Sequence, residues 1–252
     1  MNSSSIASSV REALLSRFLR YVQIDTESDP TSTTYPSTEK QLDLLRLLRD
    51  ELIEMGVPEV RLLEKGYVMA QIPATPGYED RPALGLIAHA DTSPDFTGRG
   101  VRPQIIEDYD GSPIALGDTA ELTAREFPEL MELLGHTLIT TDGSTLLGAD
   151  DKAGVAEIME TVRYILAHPE LPHGKICIGF TPDEEIGKGV DFFDVKAFGA
   201  DFAFTVDGSR EGELEYENFN AASARVIAHG RSIHPGSAKG KMINALEAIY
   251  LL

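Results

Sequence analysis

Apolar residues recur at helical spacing over 6–22 and again over 42–55, where Leu42, Leu45, Leu48, Leu52 and Met55 fall on one face. Thr38 stands ahead of the second run with Gln41 three residues on, the arrangement of a capping box, and Gly56 with Pro58 closes it. Short apolar runs bounded by turn residues predict strands at 59–63, 67–72, 83–88, 175–181 and 202–206. Between them, Val155, Ile158, Met159, Val162 and Ile165 give 152–167 the inner face of a helix, and 190–198 reads as a short one. The stretch 92–134 is rich in Pro, Gly and Asp and reads as loop with a helical patch at 123–134. An excursion of that length inside a compact domain is usually functional.

Strands alternating with helices predict an α/β fold with a mostly parallel or mixed sheet flanked by helices. After Asp207 the texture changes: 212–217 and 222–229 look like antiparallel strands, and Met242 begins a helix that runs to the last residue, Leu252. The division expected is therefore a first domain over 1–214 and the opening of an α+β domain over 215–252.

Composition narrows the function. The chain of 252 residues is 42% apolar and 25% charged, enough to bury a sizeable core. Its net charge of −19, from 41 acidic against 22 basic residues, argues against a nucleic-acid partner, which needs clustered Lys and Arg. A single cysteine, Cys177, sits in an apolar run and reads as a buried structural thiol. No disulfide is possible within the chain, which suits a reducing cytosol. The N-terminus lacks the pattern of a signal peptide, and no apolar run approaches the ~20 residues of a membrane span, so the expected location is cytoplasmic.

Four acidic segments carry the chemistry, each just beyond an apolar strand or at a turn: LIAHADTSPD (86–95), LLGADDKAG (146–154), TPDEEIG (181–187) and TVDG (205–208). Strand ends are where open α/β sheets place ligands. Taken singly, each has a plain structural explanation. His89-x-Asp91 suits a surface or satisfied core histidine, and Asp150-Asp151 suits helix capping and dipole compensation, Asp151 remaining the cap if Asp150 binds metal. Glu184-Glu185 suits a solvated turn. Together they supply one imidazole and several carboxylates, a donor set for zinc and also for cobalt or manganese. In that reading Asp150 bridges two ions, and of Glu184 and Glu185 one binds metal while the other faces the water between them. Two ions about 3.5–4 Å apart acidify a shared water, and a nearby glutamate relays its proton, which predicts amide hydrolysis.

HADTSPDFTGRGVRP, TDGSTLLGADDKAG, FTPDEEIGKG, FTVDG and SIHPGSAKGKMINA closely resemble segments of the peptidase T family, the tripeptide-aminopeptidase branch of the dinuclear-zinc aminopeptidase, carboxypeptidase and deacylase superfamily. The resemblance runs from about residue 10 to the end of the chain. It implies a zinc-peptidase-like catalytic domain followed by a dimerisation, or lid, domain, and a homodimer formed through the latter. It implies two zinc ions, with His89 and Asp207 on one, Asp150 bridging and Glu185 on the other. Glu184 is then the general base and Asp91 the acid that orients His89. The Asp150–Asp151 peptide bond is expected to be cis. His234 resembles a histidine that reaches the partner subunit's active site and binds the substrate carbonyl.

The implied activity is metal-dependent release of the N-terminal residue from tripeptides. The rivals are a dipeptidase or N-acyl amino acid deacylase of the same superfamily, and a non-catalytic fragment that binds one metal or only pairs with a partner. The family supplies its last zinc ligand, a histidine, from a segment beyond the second domain. The chain is therefore expected to be truncated at its C-terminal side, because His136, His168, His173 and His229 lie in other segments. A weakly held second metal and an exposed apolar face follow from that expectation.

Overall fold

The computed structural model describes residues 3–118, 120–208, 210, 212–217, 220–222 and 224–250. They fall into two compact units, Met1–Glu211 and Gly212–Leu252. In the first, α1 (Ser3–Tyr21) and α2 (Gln41–Glu54) precede strands β1 (Glu59–Leu62), β2 (Val68–Ile72) and β3 (Leu84–His89). An excursion follows, with β4 (Pro103–Ile106), β5 (Ile114–Leu116), β6 (Ala120–Leu122) and β7 (Leu138–Thr141). Then come α3 (Ala149–Ala167), β8 (Ile176–Thr181), α4 (Val195–Phe198) and β9 (Phe202–Thr205).

The main sheet has five strands in the order β1-β2-β8-β3-β9. β3 runs parallel to β8 and to β9, whereas β1–β2 and β2–β8 are antiparallel, so the sheet is mixed. Every residue of β8 is buried, as its unbroken run ICIGFT requires of a strand covered on both faces. The two-residue period then sorts its side chains. Ile176, Ile178 and Phe180 join Val68, Ala70, Ile72 and Ala88 in the main core under the three long helices. On the other face Met69, Cys177 and Phe198 pack with Ile87 and Phe193.

Three local expectations change. Thr38 does not cap α2: the helix begins after Lys40 with no side-chain cap, and the Thr38 hydroxyl instead donates to the carbonyl of Glu27 at 2.8 Å. Gln41 turns inward and is buried, as is Leu44, while Leu42 and Met55 are only partly covered, so the inner face of α2 is rotated from the expected stripe. In the segment 190–198 only the last four residues, those of α4, are helical, and 190–192 form a turn.

The excursion is more ordered than its composition suggests. β4 pairs with β7 and β5 with β6 as two antiparallel ribbons, and a 3-10 turn spans Pro128–Leu133. Ribbons with little core to cover leave most side chains half-exposed, so no clean alternation marks them in sequence.

The second unit holds a 3-10 turn at Pro235–Ser237, a bridge between Arg231 and Ile243, and α5 (Ala245–Tyr250). The strands expected at 212–217 and 222–229 do not form among the described residues. A strand needs a ladder and a covered face, and Leu214, Tyr216, Val226 and Ile227 are exposed. Ser223 and the last two residues of the expected C-terminal helix, Leu251 and Leu252, lie outside the described residues.

Candidate metal centre

Three parallel strands, β8, β3 and β9, deliver the acidic segments to one edge of the sheet. His89 is the last residue of β3 and sits beside Thr181, the last of β8. Glu184 and Glu185 follow in a single 3-10 turn, and Asp207 lies two residues past the end of β9. The N-terminus of α3 supplies Asp150 and Asp151, joined by a cis peptide bond as the resemblance implies.

The imidazole of His89 is buried, and every polar partner of its two nitrogens is an oxygen. Its Nδ1 lies 3.0 Å from the carbonyl and 3.3 Å from a carboxylate oxygen of Asp91. Both are acceptors, so the proton belongs on Nδ1. Nε2 faces Asp150 at 2.8 Å, with carboxylate oxygens of Asp207 at 3.7 Å and Glu184 at 3.8 Å. Asp91 is fully buried and does more than meet the imidazole. One of its oxygens accepts the Glu184 backbone N–H at 2.9 Å and the other accepts that of Glu185 at 3.1 Å. A single carboxylate thus ties the end of β3 to the glutamate turn after β8.

Asp151 has a larger part than a cap. Its carboxylate accepts the backbone N–H of His89 at 3.1 Å and that of Gly154, three residues on, at 3.2 Å. Gly154 packs so closely under the chain leaving β9 that an added Cβ would lie 1.8 Å from the carbonyl oxygen of Val206. Only a residue without a side chain lets α3 approach near enough to bring Asp151 and Asp207 together.

The electrostatics show strain among like charges. Burial opposes charging of His89, yet Asp91, Asp151 and Asp150 outweigh it and push its pKa up to about 10. Burial pushes Asp151 up to about 8 against the opposing pull of His89. Burial also raises Glu184, Glu185 and Asp207, and Asp150 adds to the rise in each. So dense a group of carboxylates calls for a positive charge in its midst.

A divalent metal meets that need. The donor atoms form two sets whose members lie within 4.8 Å of one another: His89, Asp150 and Glu185, and His89, Asp151 and Asp207. With Nδ1 held by Asp91, Nε2 is the nitrogen directed at the carboxylates, and it is the one that a metal would take in place of its proton. Asp151 enters the second set, a place the sequence reading gave to Asp150. A cavity of about 340 Å³ opens beside His89, Glu184 and Asp207 and has an apolar wall of Ile87, Val190 and Phe193. His234 lies in the second unit, exposed, where its Nδ1 accepts the N–H of Gly236 at 3.2 Å.

Residues 216–252 match the family described as the peptidase dimerisation domain. A peptidase T of Clostridium acetobutylicum is 58% identical over 238 residues, which cover 94% of this chain and 58% of that protein. A peptidase T of Geobacillus thermodenitrificans is 55% identical over 240 residues, with the same two shares covered. Among solved structures, the aminopeptidase PepT of Bacillus cereus superposes with a TM-score of 0.58 at 23% identity, covering 95% of this chain and 55% of that one, a likeness of fold. The chain therefore spans a little over half the length of the proteins it matches. Over the part of them that it spans, the chain is similar in sequence to peptidase T.

Proposed function

We propose that the protein is a metal-dependent aminopeptidase that releases the N-terminal residue of tripeptides, with 1–214 as catalytic domain and 215–252 as part of a dimerisation domain. The observation that carries the reading is the gathering of His89, Asp150, Glu185 and Asp207 around one point, with Glu184 beside them, in a chain so similar to peptidase T. These four residues would hold two zinc ions, and Asp151 would add a donor near Asp207. Bound divalent ions supply an acidified water and a polarised scissile carbonyl.

Glu184 is the general base. Its side chain is half-exposed toward the cavity, and its raised affinity for a proton suits a group that takes one and gives it back. It accepts a proton from the attacking water and delivers it to the departing amine nitrogen as the C–N bond breaks. Asp91 keeps the proton of His89 on Nδ1 and fixes the backbone of Glu184 and Glu185. The homodimer forms through 215–252, and His234 of one subunit binds the substrate carbonyl in the site of the other. The match of 216–252 to a dimerisation domain supports that arrangement. The protein acts in the cytosol on peptides, not on nucleic acid. Its net charge of −19 is consistent with that, and among the described residues no helix is long and apolar enough to cross a membrane.

The test is hydrolysis of a free-amine tripeptide, its N-acetyl derivative and a dipeptide, each with added zinc and with a chelator. Cleavage of the first alone, abolished by the chelator, is expected. Cleavage of the dipeptide or the acylated peptide instead transfers the reading to a dipeptidase or deacylase. Glu184→Ala is expected to stop turnover and leave metal bound. Loss of metal in that variant reverses the roles of Glu184 and Glu185.

A further inference from the structure

The residue ahead of the two glutamates, Asp183, has no part in the chemistry above, yet it is wholly buried. Its backbone is left-handed, with φ +59°, a conformation that Asp and Asn tolerate better than other side chains. One carboxylate oxygen accepts the N–H of Ser37 at 2.7 Å, and the other accepts the Ser37 hydroxyl at 2.5 Å and the Gln41 amide nitrogen at 2.7 Å. Gln41 also takes the Asp183 backbone N–H on its own carbonyl oxygen at 3.1 Å, so it clasps main chain and side chain together. The Ser37 hydroxyl receives the N–H of Asp29 and the Gln41 amide, which leaves its own proton for Asp183. At the far end of the turn, the Asp183 carbonyl accepts the N–H of Lys188, and the Lys188 ammonium donates to the carbonyl of Ser32.

All three groups bonded to the Asp183 carboxylate are neutral. A buried carboxylate without a cationic partner is a poor way to gain stability, since apolar packing would do as well. What it can do is fix one geometry, because each oxygen is spoken for and the acceptor positions cannot slide. The turn it fixes is the one whose next two residues are Glu184 and Glu185.

We propose that Asp183, with Gln41 and Ser37, is a positioning device for the metal centre: it locks the turn after β8 so that Glu184 and Glu185 face His89. This rests on the metal-site reading of the preceding subsection. Asp91 holds the two glutamate N–H groups from the β3 side. The Asp183 clasp holds the same turn from the 29–41 side, so the turn is gripped at both ends. Segment 29–41, which makes no hydrogen bond or ion pair to the proposed metal donors, thereby becomes part of the site's framework.

Cobalt(II) tests this without recourse to turnover, because its visible absorption reports donor geometry. The wild-type protein and the variants Asp183→Asn and Ser37→Ala are titrated with cobalt, with far-UV circular dichroism recorded on each. Asp183→Asn keeps the size and backbone tolerance of Asp but replaces one acceptor with a donor. It is expected to weaken cobalt binding about tenfold or more, as loss of an outer-shell partner does, and to alter the visible spectrum while the dichroism is unchanged. Ser37→Ala removes one hydroxyl bond and is expected to move both readouts in the same direction by less. Wild-type affinity and spectrum in both variants, whatever their melting temperature, would overturn the proposal and leave the clasp a structural element. If Asp183→Asn does not fold, Ser37→Ala decides alone. A wild-type protein that binds no cobalt would overturn the metal reading itself, and the clasp's role with it.

Discussion

His89 and Asp91 lie buried at the end of β3 with their polar atoms committed, whereas Asp150, Glu184 and Asp207 surround them with side chains 71%, 55% and 35% exposed. The first pair is an anchor whose geometry the fold sets through backbone hydrogen bonds. The second group is a ring of like charges that the fold brings together without neutralising. A protein can afford to leave the ring open because solvent screens it, and it must close the anchor because a buried carboxylate without partners is costly. The division of labour teaches that folding builds the anchor and leaves the ring with a charge that the proposed cation would balance.

The sharpest way to break this contrast is to remove the anchor. Asp91→Ala leaves His89 Nδ1 only the backbone carbonyl of residue 91 and takes the acceptor from two part-buried backbone N–H groups. It is expected to cost about 3–5 kcal/mol in urea denaturation and to abolish metal binding. A cost below 1 kcal/mol would mean that Asp91 belongs with the ring.

Filling the ring is the next largest effect. Zinc at a hundred times its dissociation constant is expected to add about 2.7 kcal/mol of stability, seen as a rise in melting temperature that a chelator reverses. An unchanged melting temperature would deny the ring its cation.

Protonation then sharpens the comparison. In the metal-free protein His89 titrates at about 10 and Asp151 at about 8, both raised above their ordinary values. A raised group contributes stability at low pH that is lost as pH climbs through its folded value. The contribution of His89 is complete below 6.5 and gone above about 10, and that of Asp151 is complete below 3.8 and gone above about 8. The metal-free form therefore weakens from neutral to alkaline pH, and metal must displace the His89 proton. Calorimetric titration is expected to show affinity rising about tenfold per pH unit for each proton displaced, and so at least about tenfold per unit between 6 and 8. Affinity independent of pH would contradict the assignment of His89.

The smallest effect on stability belongs to the ring itself. Asp150→Asn is expected to leave metal-free stability within about 0.5 kcal/mol of the original, since it removes an exposed charge and relieves repulsion. Metal affinity falls in the same variant. Destabilisation of about 2 kcal/mol or more would erase the distinction between anchor and ring.

Much of the frame was legible in the sequence because periodicity is a local signal. The apolar runs of β2, β3 and β8 and the inner face of α3 are visible in any ten-residue window. Glu184 and Asp207 were legible because each follows an apolar strand run, and Asp150 because it stands at the turn into a helix. Asp183 was not, since in TPDEEIG it reads as one more acid in a polar turn, while its partners lie 142 and 146 residues away. Gln41 was misread for the same reason: its spacing from Thr38 mimics a cap, and only the arrival of Asp183 gives it another use. Asp151 looked like a cap because its bond to Gly154 is one, and its contact with the His89 backbone is invisible without the sheet. The left-handed backbone of Asp183 is what sets it apart from its neighbours, and backbone handedness is not written in a single sequence. The ribbons β4–β7 escaped because thin, half-exposed pairs leave no hydrophobic period.

The tie from the Glu184 N–H to Asp91 joins residues 93 apart in the chain. Closing so long a loop costs entropy before any contact rewards it, so such ties form late in folding. The nascent polypeptide must pair β3 with β8 across α3 before any ring of carboxylates exists to attract a cation. Zinc supplied during refolding is thus expected to leave the folding rate unchanged and to slow unfolding, the kinetic mark of an interaction absent from the transition state.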